Sequence, residues 1–295
     1  MLRTGGLALL CLIACSVAET AGTLDPSAWG GDHVGQPAPT YVTGGECVFC
    51  HRDPPINAWT SNRHSLTMRL PLADAEPIPA NGAELLVGAA DNVRYLRRTD
   101  YGKVALLSAD GTHWDPELFA TSCAGCHSTA VDPEMLAYSS PSLDCFVCHG
   151  DVSLEHSRDP KLTLLAAARQ DPPAVVTSIC ASCHLRGGRS KSSGLPYPNN
   201  FIPGDNLFRD FQVDFSDAHL ASLSVADRHV FENARDVVLF GKEDVTCLSC
   251  HDVHTGSSAR HEDVWQQESC FTCHIPGRDK SELLPFTTDS LTCAR

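Results

Sequence analysis

The sequence predicts a mainly α-helical chain with much irregular structure and one small β-hairpin. Three observations carry that expectation. The pattern Cys-x-x-Cys-His occurs six times in 295 residues. Large aromatic side chains are scarce for a core of this size, with 11 Phe, 4 Trp and 5 Tyr. The gaps between the motifs are rich in Gly, Pro, Ser and Asn, and only the gap after the first motif alternates as strands do.

The motifs are Cys47/Cys50/His51, Cys123/Cys126/His127, Cys145/Cys148/His149, Cys180/Cys183/His184, Cys247/Cys250/His251 and Cys270/Cys273/His274, here motifs 1 to 6. This spacing is the attachment site of haem c: two thiols hold the macrocycle and the adjacent imidazole is an axial iron ligand. A Cys-x-x-Cys pair alone could be half a zinc site or a thiol redox motif. His is 14 of 295 residues, so it should follow a given pair by chance about one time in twenty. It follows all six. The implied cofactor is six covalent haem c groups, which would themselves fill much of the interior.

The start reads as an export signal over 1–18, with Arg3, then a largely apolar run from Leu7 to Val17, then Glu19. Two processing readings stay open. Leu12-Ile13-Ala14-Cys15 resembles a bacterial lipobox, which would lipidate Cys15 and attach the chain to a membrane. Ser16-Val17-Ala18 is a small-x-small cleavage site. Either way the expected location is periplasmic or outer-surface. No other segment is long and apolar enough to span a membrane. Residues 19–40 read as a linker, 41–200 as a region with motifs 1 to 4, and 201–295 as a segment with motifs 5 and 6.

The elements follow in order. Asn57 to Leu70 is expected to be a helix stopped by Pro71. Val93–Arg97 and Lys103–Leu107 flank Thr99-Asp100-Tyr101-Gly102 and predict the hairpin, followed by a turn at Ala109-Asp110-Gly111. Arg94, Arg97, Arg98 and Lys103 form a basic patch there, a solvated strand face or a docking or propionate-pairing surface. Residues 161–170 read as a Leu- and Ala-rich helix. Residues 186–205 read as loop, and Asp227 to Val238 as a helix carrying His229.

Three stretches resemble known multihaem cytochromes. Tyr41-Val42-Thr43-Gly44, motif 1, and then Trp59, Ser61 and His64 resemble the first haem segment of the cytochrome c554 family. Motif 3 with Gly150 and then His156 resembles a later segment of that family. Asp227-Arg228-His229, motif 5 with His254, and then His261 resemble an arrangement recurring in bacterial multihaem cytochromes. The resemblance covers about half the chain and implies that His64, His156, His254, His229 and His261 are distal axial ligands.

Six of the 14 His lie in motifs, which leaves His33, His64, His113, His156, His219, His229, His254 and His261. Six closed irons need six of these, and His113 completes the set. Met68 and Met135 are better explained as packing than as axial ligands. Two function classes remain. One is electron transfer through six haems, mostly bis-His ligated, in a periplasmic or cell-surface respiratory pathway. The alternative is a multihaem reductase or oxidase of small nitrogen or sulfur species, which needs one five-coordinate haem. The supply of His favours a carrier without its own substrate chemistry. The formal charge of −14 argues against nucleic acid as a partner and favours redox proteins that dock through cationic surfaces.

Overall fold

The computed structural model describes residues 45–51, 59–71, 82–88, 93–99, 103–132, 137–150, 152–199, 201–242, 246–249, 251 and 253–254. The export signal, the Cys15 lipobox, the 19–40 linker with His33, Cys250 and His261 lie outside these residues. So does all of motif 6, which is Cys270, Cys273 and His274.

The expectation of a mainly α-helical chain is corrected. An antiparallel five-stranded sheet precedes motif 2, with strand order β1 Met68–Arg69, β2 Leu85–Val87, β3 Arg94–Arg98, β4 Val104–Leu107 and β5 Trp114–Asp115. The predicted hairpin is its centre, with Leu96 opposite Leu106 and Arg97 opposite Ala105. The turn at 109–111 forms as expected, with the Gly111 amide donating to the Ser108 carbonyl and Gly111 at φ 73°. A lone two-stranded hairpin is marginal in water. Here β2 and β4 are buried along their whole lengths, so flanking strands and a helical cover are required. Two further two-stranded sheets form, β6 Ser128–Asp132 with β7 Ala137–Pro141, and β8 Arg189–Ser190 with β9 Phe211–Gln212.

Motifs 1, 2 and 3 lie on helices of four to six residues, and motif 4 ends a helix of 12. Helix α1 is Gly45–Cys50, α2 Pro116–Ser122, α3 Ala124–His127, α4 Phe146–His149, α5 Pro173–His184, α6 Asp217–Ser222 and α7 Val225–Phe240. Asp115 caps α2 by accepting from the Leu118 amide at 2.9 Å, with Pro116 just inside the start. Ser224 caps α7 by accepting from Asp227 N at 3.1 Å, and Gly241 ends it at φ 62°. The predicted Asp227–Val238 helix therefore lies inside α7. Arg228 donates to the carbonyls of Leu220, Ala221 and Leu223 and fixes the corner between α6 and α7.

Two predicted helices do not form. Residues 60–67 run as turns and bends into β1. Ser65 Oγ donates to the Trp59 and Asn62 carbonyls there, a local alternative to the helix ladder. In 161–170, Leu165 stands at φ 60°, which an α-helix excludes, and its amide donates to the Asp171 carboxylate at 2.7 Å.

Side chains build three apolar clusters among the described residues. Met68, Leu85, Val87, Leu96, Val104 and Leu106 pack with Phe119 of α2 and Ala124 of α3. The sheet is thus the platform on which motif 2 sits. Ala181, Leu185, Leu207, Phe211, Phe231 and Ala234 join α5 to α7 across residue 200. Leu164, Val175 and Ile179 form the third. Among the described residues no helix is long and apolar enough to cross a membrane.

Candidate functional site

Each described motif is a helical turn. The His amide donates to the carbonyl of the first Cys in motif 1 (2.9 Å), motif 2 (3.2 Å), motif 3 (2.9 Å) and motif 5 (3.0 Å). Motif 4 forms the last turn of α5. A four-residue turn stacks the first Cys and the His on one face, so one planar macrocycle can meet both thiols and the imidazole. No disulfide joins the described cysteines. Cys270, Cys273 and His274 of motif 6 lie outside the described residues, so their assignment as haem anchors and proximal ligand rests on the spacing alone.

Thiols of different motifs meet. Cys145 bonds Cys47, Cys126 bonds Cys183, and Cys180 bonds Cys247. These contacts, and then burial, push Cys145, Cys126 and Cys180 well up. Burial first takes Cys148 up to about 12. The same contacts hold the partner thiols Cys183 and Cys247 down. Motif 1 therefore lies beside motif 3, motif 2 beside motif 4, and motif 4 beside motif 5.

The imidazoles come in pairs. His51 lies near-parallel to His156 with ring centroids 6.0 Å apart, His149 near-parallel to His254 at 5.9 Å, and His184 edge-on to His64 at 6.1 Å. In each pair one ring belongs to a motif and the other does not. An imidazole nitrogen sits about 2 Å from a bound metal. A metal held between two such rings thus spaces their centroids by about 6 Å, the separation observed. Among the described residues no group of three or more His, Cys, Asp or Glu would hold a bare ion. Paired donors fit haem, which already supplies four nitrogens and needs two axial ligands.

In two of the paired rings the other nitrogen is held as iron ligation would require, whereas Nδ1 of His127 is buried without a hydrogen-bond partner among the described residues. Nδ1 of His149 is 2.7 Å from the Leu164 carbonyl, and Nδ1 of His156 is 2.6 Å from the Ser153 carbonyl. A carbonyl only accepts, so Nδ1 carries the proton and Nε2 keeps its lone pair. Burial holds His64, His127 and His149 below the ordinary value of 6.5. His184 is pushed down to about 4, by burial first and then by the like charge of His64. The neutral form is the one a metal takes.

The remaining candidates lie elsewhere. His113 is on the exposed 108–113 turn, its Nδ1 3.3 Å from Thr112 Oγ1. His229 is on the exposed face of α7, where Asn233 Nδ2 lies 3.1 Å from its carbonyl. His219 packs on Phe231 at 5.4 Å. His251 stands near enough to His184 for their charges to interact. Among the described residues no second imidazole makes ring contact with His127.

Three side chains around the motifs were not singled out as site residues from the sequence. Asn62 is 0% exposed and touches the backbones of both His64 and Val253. Trp59 lies beside His64 and His254. Tyr197, 1% exposed, lies over Gly125 inside motif 2 and donates to the Ala120 carbonyl. Trp59 stands in the first-segment resemblance, and Gly125, the smallest residue within any of the six motifs, could have pointed to a close neighbour such as Tyr197.

No described protein family and no curated protein matches the chain. Among solved structures it is similar to an undecahaem cytochrome from the S-layer of Carboxydothermus ferrireducens, with a TM-score of 0.42 and 18% identity. The match covers 81% of this chain, which spans only 43% of that cytochrome.

Proposed function

We propose that the chain is an exported electron carrier that holds six haem c groups on its six Cys-x-x-Cys-His motifs. The observation that carries this is the triple recurrence of one separation: a motif histidine and a non-motif histidine about 6 Å apart, in three separate places. Haem bound there supplies reversible one-electron exchange at iron. The chain's own residues do the rest. Paired cysteines anchor each group, and His51/His156, His149/His254 and His184/His64 close axial positions. The Leu164 and Ser153 carbonyls hold the Nδ1 protons, and the three apolar clusters exclude water. His229, His261 and His113 remain candidates for the other irons, those of motifs 2, 5 and 6, where His127, His251 and His274 are the proximal ligands. Export through the 1–18 segment, with or without lipid at Cys15, would place the carrier in the periplasm or at the cell surface, where cationic redox proteins are its partners.

The test is the purified holoprotein. Pyridine haemochrome absorbance and intact mass should count six haems, and electron paramagnetic resonance should show mainly low-spin ferric iron. Fewer than six attached haems, or a high-spin majority, would sink the reading.

One observation favours a second reading for one site. Motif 2 lacks a described imidazole opposite His127. A cavity beside it is lined by Gly125, Ser128, Thr129, Ser182, Cys183 and Tyr197. A reductase or oxidase of small nitrogen or sulfur species would use an open iron there. Carbon monoxide binding by one reduced haem would support that reading, and its absence would remove it.

A further inference from the structure

The distal histidines of motifs 3 and 4 meet at one buried side chain. Asn62 Nδ2 donates to the Val253 carbonyl at 2.7 Å, across 191 positions of sequence. Asn62 Oδ1 accepts from the His64 backbone amide at 2.9 Å and lies 3.2 Å from His64 Nδ1. These contacts leave the amide no freedom to flip. A backbone N–H only donates, so the atom facing it is the oxygen. A carbonyl only accepts, so the atom facing Val253 is the nitrogen. The oxygen then requires a proton on His64 Nδ1, which leaves Nε2 free toward His184. Val253 directly precedes His254, whose ring faces His149 at 5.9 Å. Trp59 completes the arrangement, 6.3 Å from His64 and 6.4 Å from His254.

We propose that Asn62 positions two axial histidines at once, His64 through its side-chain oxygen and His254 through the backbone of Val253. Two histidines at opposite ends of the motif array, His64 and His254, thereby share one positioning residue. The inference rests on the reading of His64 and His254 as axial ligands, and the experiment separates the two.

Holoprotein carrying Asn62→Ala is compared with His64→Ala and His254→Ala by electron paramagnetic resonance, carbon monoxide binding and potentiometric titration. Each histidine variant is expected to lose its own low-spin signal. Asn62→Ala should broaden or shift both of those signals and leave the rest alone. Asn62→Asp, measured at pH 8, guards against a folding failure. Its carboxylate still accepts from His64 Nδ1 but no longer donates to Val253. The His64 haem should stay low-spin with a lowered potential, because a charged acceptor makes the imidazole a stronger donor to ferric iron. The His254 haem should become the one that binds carbon monoxide. If the histidine variants each lose a signal while both Asn62 variants disturb one haem or none, the shared role is wrong and the ligation reading stands. If His64→Ala and His254→Ala leave the low-spin count unchanged, the ligation reading fails and takes this inference with it.

Discussion

His156 shows what a single residue contributes. It sits in a one-turn 3-10 segment, Leu154–Ser157, capped by Ser153, whose side chain accepts from Glu155 N. The same Ser153 offers its carbonyl to His156 Nδ1 at 2.6 Å. Cap and tautomer are set together, and Nε2 is left for whatever lies between His156 and His51. His156→Ala is expected to turn one of six low-spin haems high-spin and to create one carbon monoxide site, with the other five unchanged. An optical and resonance spectrum identical to the parent would show that His156 is not a ligand. Much at this scale was legible. The six motifs mark candidate proximal histidines by spacing alone, and His64, His156 and His254, which the fold brings beside motif histidines, stood out by resemblance. The pairing of each with a particular motif was not legible. Nothing local to His64 points to His184, which lies 120 positions on and meets it only through the fold.

Elements determine how the motifs are held against one another. Helix α5 is the clearest case. It ends in motif 4 and packs on α3 of motif 2, α4 of motif 3 and the 3-10 turn of motif 5. Helix α3 is also covered closely by Tyr197, which lies beyond the end of α5. A Cβ placed on Gly125 would lie 2.1 Å from the Tyr197 ring, near its base rather than at its tip. The ring cannot swing away cheaply, since it is fully buried and its hydroxyl is tied to the Ala120 carbonyl. Gly125→Ala should therefore destabilise the fold by about 1–3 kcal/mol, the usual cost of overpacking. Tyr197→Leu in the same chain should recover part of that loss. Thermal unfolding followed by far-ultraviolet dichroism reads both, and strict additivity of the two substitutions would refute the contact. Element legibility was uneven for physical reasons. Helix α7 was legible over Asp227–Val238, but its caps, Ser224 and Gly241, lie outside that stretch. The hairpin announced itself through alternation. Strand β2 reads Leu85-Leu86-Val87, a buried run with no period, and β1 and β5 are two residues each. Short fully buried strands carry no alternation to detect, so the sheet looked like a hairpin. The Leu- and Ala-rich 161–170 stretch misled because a local side-chain bond from Leu165 N to Asp171 competes with the helix ladder.

At the scale of the whole molecule, charge is the property that the sequence states most directly. The formal balance is −14, from 22 basic and 36 acidic residues, and haem propionates would add to it. The basic patch does not offset this as a free surface. Arg94 donates to the Leu107 carbonyl, Arg97 covers Trp114 at 4.9 Å, and Arg98 pairs with Glu84 at 3.6 Å. These three arginines are thus engaged with the sheet itself but keep their charge, and the long-range field is negative because the balance of −14 already counts them. A negative field attracts a cationic redox protein before any contact forms, so association is fast at low salt and slows as ions screen it. Raising ionic strength from about 0.01 to about 0.15 M shortens the Debye length from about 30 Å to about 8 Å. The second-order rate of electron exchange with a basic cytochrome should then fall by about tenfold or more. Exchange with an acidic partner of similar potential should rise under the same change, as repulsion is screened. Stopped-flow traces at the haem Soret band measure both. A rate with the basic partner that is flat or rising with salt would mean that docking uses a neutral or apolar face, and the charge balance would then bear on solubility alone.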